Sequence, residues 1–434
     1  MENFNDVHLQ LTQLKQASRW LKTAPADVKN KIIDRISVLL DLQRKELLQK
    51  NQIDVQEFQK AENFKSDLLD RLILNDSRIN SMVQGLKAIA NYKDPVGQIL
   101  ESKTLANGLI LKKIAEPFGV IFFIFESRPN VITEALSIAL KSGNVMILKG
   151  GKESFHSSSF IYQVINQAIL DCGVNYTLFW GLTQVSRQVT DYLLTQASFI
   201  DLVIPRGGEH LIQTIKAKSQ IPVIKNDRGL CHVYVHQHAD LNMAARIVEN
   251  AKLSRPSVCN AMETLLVDKS VVKDFVPLFF QLIKNKKITL HADSFIKAEI
   301  DSQLQKQNVI LDKNQIKCVL ANQKDYQTEY LSAEMNIKSV VGLQEAIEHI
   351  QLYSSKHSES IVTQDEHVAR QFQSQVDAAC VYWNASTRFT DGMEFGLGGE
   401  IGISTDKLHV RGPVGVESLT TGKWVIDGQG QIRT

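Results

Sequence analysis

Residues 119–127 read GVIFFIFES, a near-continuous apolar run that ends in Glu126 and Ser127. A strand with no polar face suits a parallel sheet covered by helices on both sides. Working outward, a helical stretch follows to Lys141, Ser142 and Gly143. Val145 to Lys149 is a second strand, and Phe160 to Ile169 repeats at helical spacing. YTLFW at 176–180, FIDLVIP at 199–205 and IPVI at 221–224 continue the series. The alternation predicts an α/β domain like those that bind nucleotides, although the G-x-G-x-x-G fingerprint is missing. Gly150-Gly151 and Gly207-Gly208 each follow a predicted strand, where an open α/β sheet places ligand loops.

Toward the N-terminus the first 90 residues are helical in pattern. Ile32, Ile36, Leu39 and Leu40 share a face, to which Leu47 returns across a polar gap at Gln43, and Pro25 suits a helix start. Asn107-Gly108 then reads as a hairpin turn that interrupts the helical layer. After Val233 a second α/β series is expected: a helix around Met243 to Ala251, strand 264–268, helix 271–285, and strands at 360–363 and 378–383. The lysine-rich stretch 281–317 is interrupted by Asp and Glu and reads as a solvated face rather than a polyanion site. After Trp383 the chain turns rich in Gly, Arg and Thr and ends in short strand-like pieces around Trp424 and Ile426.

Composition narrows the function classes. At roughly 150 residues per domain, 434 residues suggest about three folding units or two large ones. Forty-nine Lys and Arg against 47 Asp and Glu leave a formal charge of +2, which argues against nucleic acid as a partner. The five cysteines, Cys172, Cys231, Cys259, Cys318 and Cys380, are scattered and lack any CxxC pair, so a disulfide framework or bound metal is not expected. The longest apolar stretch, Gly119 to Phe125, is far short of the roughly 20 residues that span a membrane. The opening MENFNDVHLQ lacks the basic region and apolar run of a signal peptide, so a soluble cytoplasmic protein is expected.

Three segments carry candidate chemistry. In AKLSRPSVCNAMETLLVD (251–268), Cys259 stands among small and polar residues just before a strand. Most free cysteines are small buried hydrophobes, but a thiol in such a turn can be held as a thiolate and attack an acyl or aldehyde carbon. FESRPNV (125–131) runs from a strand into a turn with Arg128 and Asn130; these are either a surface arginine and a helix cap or part of a site. The third segment, 384–415, is turn-rich and carries Arg388, Lys407 and Arg411, which can line a positive pocket for carboxylate or phosphate.

The strings ESRPNV, LKSGNVMILKGGKE, PRGG, NAKLSRPSVCNAMETLLV, VYWNASTRFTDG and FGLGGEIGISTDKLHVRGPVG, with Val340, Ala346 and the KHSESI run from His357's neighbourhood to Ile361, span most of the chain. Together they resemble the gamma-glutamyl phosphate reductase family of the aldehyde dehydrogenase superfamily. The resemblance implies an aldehyde dehydrogenase-like α/β fold: two parallel-sheet domains with a small β oligomerisation arm. Residues 1–232 would form the cofactor domain with its N-terminal helices and an arm hairpin near 96–113. Residues 233–377 would form the catalytic domain, and 378–434 would return to the cofactor domain, supply a substrate loop and complete the arm.

The implied reaction is NADPH-dependent reduction of L-glutamate 5-phosphate to L-glutamate 5-semialdehyde with release of phosphate, the second step of proline synthesis from glutamate. Cys259 would be the nucleophile, with its own N–H and the Asn130 amide at the oxyanion. Lys149 with Gly150 and Gly151 would meet the adenosine ribose and the 2′-phosphate of NADP. Arg206 with Gly207 and Gly208 would meet cofactor phosphate or the acyl phosphate, and Glu334 the nicotinamide ribose. Arg128, Asn260, Arg388 and Arg411 would bind substrate. His156 reads as structural, His357 has no assigned chemical task, and His409 either binds substrate or packs. Segment 221–235, IPVIKNDRGLCHVYV, has no glutamate to activate water, which disfavours a non-phosphorylating, NAD-dependent semialdehyde dehydrogenase. A homodimer or homotetramer is implied, with the glutamate 5-kinase on a separate chain and contact with it as a further expectation.

Overall fold

The computed structural model describes residues 4–61, 66–182, 186–225, 228–306 and 316–433. Asn226 and Asp227, in the glutamate-free segment 221–235, lie outside them. The chain divides into two compact units: Met1–Asn226 with Gly396–Gly402 and Leu408–Thr434, and Asp227–Phe395 with Ile403–Lys407. Among the described residues no helix is long and apolar enough to cross a membrane.

The first unit opens with helices Phe4–Leu21, Ala26–Leu42, Arg44–Gln59, Ser66–Leu72 and Asp76–Asn91. Pro25 is the N-cap of the second, as its fixed φ predicts. Ile32, Ile36, Leu39 and Leu40 are buried as expected. Leu47, however, belongs to the next helix, because the chain turns at Gln43, which ends one helix and begins the other.

Strands β1 (Ile99–Thr104) and β2 (Ile110–Pro117) form the hairpin, closed by Leu105 N–H to Leu109 O at 2.8 Å and Gly108 N–H to Leu105 O at 2.9 Å. The C-terminal strand Thr420–Asp427 pairs antiparallel with β2 and completes a small three-stranded sheet.

The apolar run becomes β3 (Val120–Phe125), buried at all six positions. With β4 (Val145–Lys149), β5 (Phe179–Leu182) and β6 (Leu202–Arg206) it forms a parallel sheet in the order β5-β4-β3-β6. The expected strand at 221–224 reduces to one isolated bridge, Val223 to Val203, although Ile221 and Ile224 are buried. Apolarity there reflects packing under the sheet edge, not a ladder.

The second unit holds a seven-stranded parallel sheet in the order β10-β9-β11-β8-β7-β12-β13. Its strands are β7 (Cys231–Val235), β8 (Met262–Asp268), β9 (Ile288–Ala292), β10 (Ile316–Leu320), β11 (Glu334–Val340), β12 (Ser358–Val362) and β13 (Cys380–Trp383). The lysine-rich stretch thus supplies β9, helix Ser294–Lys306 and the start of edge strand β10, its positions 307–315 lying outside the described residues. Its lysines hide a strand because only alternate residues, Ile288, Leu290 and Ala292, face the core. Boundaries differ from those expected at 232 and 378. β7 pairs with β8 and β12, and β13 with β12, so residues 231–235 and 380–383 are bound into the second unit, and the return to the first begins at Gly396.

Candidate active site

In the first unit, strand order brings the turns after β3, β4 and β6 side by side at the carboxyl edge of the sheet. Lys149 closes β4 and is half-buried. Burial holds its ammonium below the usual lysine range; Lys152 and Arg187 push the same way, against Glu153 and Glu126. Beside it, a Cβ on Gly150 would stand 3.0 Å from the Phe125 ring, so the bare backbone lets this turn pack against that ring. Lys149, Lys152 and Arg187 concentrate positive charge at this turn. Arg206 is turned inward in part, its Nη1 donating to Ile401 O at 3.0 Å.

Asn130 occupies the N-cap of helix Val131–Lys141 in helical backbone geometry, and its side chain makes no capping bond. The capping interpretation therefore fails. Arg128 and Arg411 are half-buried in the same unit. His409 packs: its ring meets Phe118 edge-on at 5.0 Å, and its Nε2 lies 3.0 Å from Ser418 O. His156 donates its backbone N–H to Asp54 Oδ1 at 2.9 Å.

In the second unit, Cys259 stands on the loop between helix Leu241–Leu253 and β8, partly exposed. Three contacts shape that loop. Cys231, fully buried, donates its thiol to Cys259 O at 3.2 Å. Gly229 lies so close that a Cβ would collide with the Cys259 carbonyl. The Gly229 N–H donates to Glu329 Oε1 at 2.8 Å. We expect Gly229→Ala to displace Cys259 and lower kcat by on the order of 100-fold; unchanged steady-state kinetics would show that the loop absorbs a methyl.

Asn260 is buried and fully engaged. Its Nδ2 donates to Thr390 O at 2.9 Å and to Arg388 O at 3.3 Å, while its Oδ1 accepts from Arg388 Nη1. Arg388 Nε also donates to Ser254 Oγ at 3.2 Å. Asn260 thus pins the 386–390 turn. Burial and Arg255 lower the proton affinity of Arg388, while a negative sulfur at Cys259 raises it, so the two charges attract.

Behind the loop lies a fully buried ion pair, Lys252 Nζ to Glu263 Oε2 at 2.7 Å. Burial pushes Glu263 up to about 7 and Lys252 down. Glu334, at the start of β11, faces His291 Nε2 at 3.4 Å and accepts from Ser332 Oγ at 3.2 Å. Buried His357 has its Nδ1 2.8 Å from Ser358 Oγ, and Lys407 pairs with Asp377 at 3.1 Å. Burial also raises the thiols of Cys231, Cys318 and Cys172. Gly229, Glu329, Cys231 and the Lys252–Glu263 pair were not singled out from sequence; a glycine leading into a strand at Gly229-Leu230 was the one local signal.

The aldehyde dehydrogenase family pattern matches residues 8–313, and the chain belongs to the aldehyde dehydrogenase family. It is 42% identical over 423 residues to the gamma-glutamyl phosphate reductase of Nautilia profundicola, covering 98% of this chain and 99% of the relative. Identity to the gamma-glutamyl phosphate reductase of Lachnospira eligens is 41% over 433 residues, covering 100% of both. The crystal structure of gamma-glutamyl phosphate reductase from Thermotoga maritima superposes with a TM-score of 0.90 at 38% identity, covering 98% of this chain and 99% of that one. Within the family, the chain thus groups with the gamma-glutamyl phosphate reductases.

Proposed function

We propose that this chain reduces L-glutamate 5-phosphate to L-glutamate 5-semialdehyde with release of phosphate, the second step of proline biosynthesis, and that its reductant is NADPH. The observation that carries the reading is the seat of Cys259: a partly exposed thiol on a loop shaped by Cys231 and Gly229, in the field of Arg388, in a chain whose near-full-length relatives are gamma-glutamyl phosphate reductases.

The Cys259 thiolate attacks the acyl carbon, and the C–O bond to phosphate breaks with its electron pair leaving on phosphate. NADPH, when bound, supplies a hydride. Collapse of the resulting hemithioacetal breaks the C–S bond, frees the aldehyde and returns the thiolate. The Cys259 N–H holds the oxyanion, and the Asn130 amide is assigned as its second donor. Lys149, Gly150, Gly151, Arg206, Gly207 and Gly208 hold the cofactor's phosphates and adenosine ribose, and Glu334 its nicotinamide ribose. Arg388, Arg411 and Arg128 hold the substrate's anionic groups, and Asn260 positions Arg388.

Exposed apolar residues of the three-stranded sheet, Ile99, Leu100, Trp424 and Ile426, support self-association as a dimer or tetramer. Five free thiols suit a reducing, cytoplasmic setting.

The test is the reverse reaction, following NADPH absorbance with glutamate 5-semialdehyde and NADP. Strict dependence on inorganic phosphate is expected, because segment 221–235 offers no glutamate to activate water. Equal rates without phosphate would overturn the reading in favour of a non-phosphorylating dehydrogenase.

A further inference from the structure

Two carboxylates that the mechanism leaves unused join the three turns at the carboxyl edge of the four-stranded sheet. Glu126, after β3, accepts from the Gly208 N–H at 2.8 Å, in the turn after β6. Glu153, in the single 3-10 turn Lys152–Ser154 after β4, accepts at one oxygen from the Ser127 N–H, at 2.7 Å, and from the Ser127 hydroxyl. Ser127 is 1% exposed and has φ 42°, a left-handed conformation that crowds its Cβ. Such a residue persists only where its surroundings hold it. Gly151 makes room for the holder, since a Cβ there would strike the Glu153 carboxylate.

We infer that Glu153 is a positioning residue, assisted by Glu126: it ties the Lys149–Gly151 turn to the turn bearing Arg128 and Asn130, so that the two are shaped together. The inference rests on the cofactor and substrate roles proposed for those turns. Glu153 also faces Lys149 and favours its charge, so tether and charge must be separated experimentally.

Glu153→Gln keeps an acceptor oxygen for both Ser127 donors and removes the charge; Glu153→Ala removes both. Glu153→Ala should lower kcat by on the order of tenfold to 100-fold, with Glu153→Gln within about threefold of the parent. Adding Ser127→Gly to Glu153→Ala should recover part of the loss, because glycine adopts φ 42° without a crowded Cβ. Amide hydrogen exchange over residues 125–131 reads the tether without reference to turnover. It should quicken in Glu153→Ala and stay slow in Glu153→Gln.

Unchanged exchange in Glu153→Ala would overturn the tether even if the enzyme proved to be a different dehydrogenase. Parental kcat in Glu153→Ala with quickened exchange would overturn the positioning role. Equal impairment of Gln and Ala variants, with slow exchange in the former, would assign the effect to charge and overturn it also.

Discussion

Cys259→Ser is expected to abolish turnover, by on the order of 10⁴-fold or more, while NADPH still quenches protein fluorescence at the parental concentration. A serine hydroxyl stays protonated near neutral pH and attacks weakly, whereas the thiol needs only a modest electrostatic bias to ionise. Arg388, anchored by Asn260 and Ser254 and attracted by a negative sulfur at Cys259, is the group proposed to supply that bias. Cys231 cannot substitute, although it touches the same loop. It is fully buried, its thiol is engaged by Cys259 O, and burial pushes it well above the usual thiol range. Turnover retained in Cys259→Ser would remove the covalent mechanism. Loss of cofactor binding along with turnover would mean that the substitution had disturbed more than the nucleophile.

Lys252→Met is expected to be the most destabilising side-chain truncation around the site, costing about 3–5 kcal/mol, because it strands a charge rather than removing a pair. Lys252 and Glu263 are 0% and 1% exposed, so water cannot replace the lost partner. The pH dependence has a definite sign. With Lys252 in place the Glu263 carboxyl already lies at about 7 against an ordinary 4.5, and without the cation it rises further. Below 4.5 both folded and unfolded forms carry the proton, and no linkage penalty arises. As pH climbs above that value the unfolded chain releases a proton that the folded variant retains or releases at a cost, so stability falls. Urea unfolding of Lys252→Met should therefore show a deficit that widens from pH 5 to pH 8. Replacing both residues with methionine should recover most of the loss, since a matched apolar pair carries no stranded charge. A double variant as unstable as the single one would locate the defect in packing instead.

Much of the architecture was legible because hydrophobic patterning reports local burial. The unbroken run at 120–125 has no polar face to offer and forms an interior strand, and Asn107-Gly108 turns the hairpin it predicts. The same signal misled at 221–224, where buried isoleucines pack without a ladder, and in the lysine-rich stretch it left β9 unannounced, because there only alternate residues are fully buried. Leu47 shows a further limit: spacing fitted a continued helix, but the chain turned at Gln43 with no proline or glycine to announce it.

Motifs and periodicities carried by consecutive residues were enough for the family and the parallel-sheet class, and they singled out Cys259 as the candidate nucleophile. Tertiary structure alone decided what holds those residues in place. Gly229 meets the Cys259 carbonyl, Asn260 grips a turn more than a hundred residues away, and Glu153 closes on Ser127. Each is a contact between chain segments brought together by strand order, and strand order follows from how whole faces bury against one another, a property that no local stretch of sequence contains.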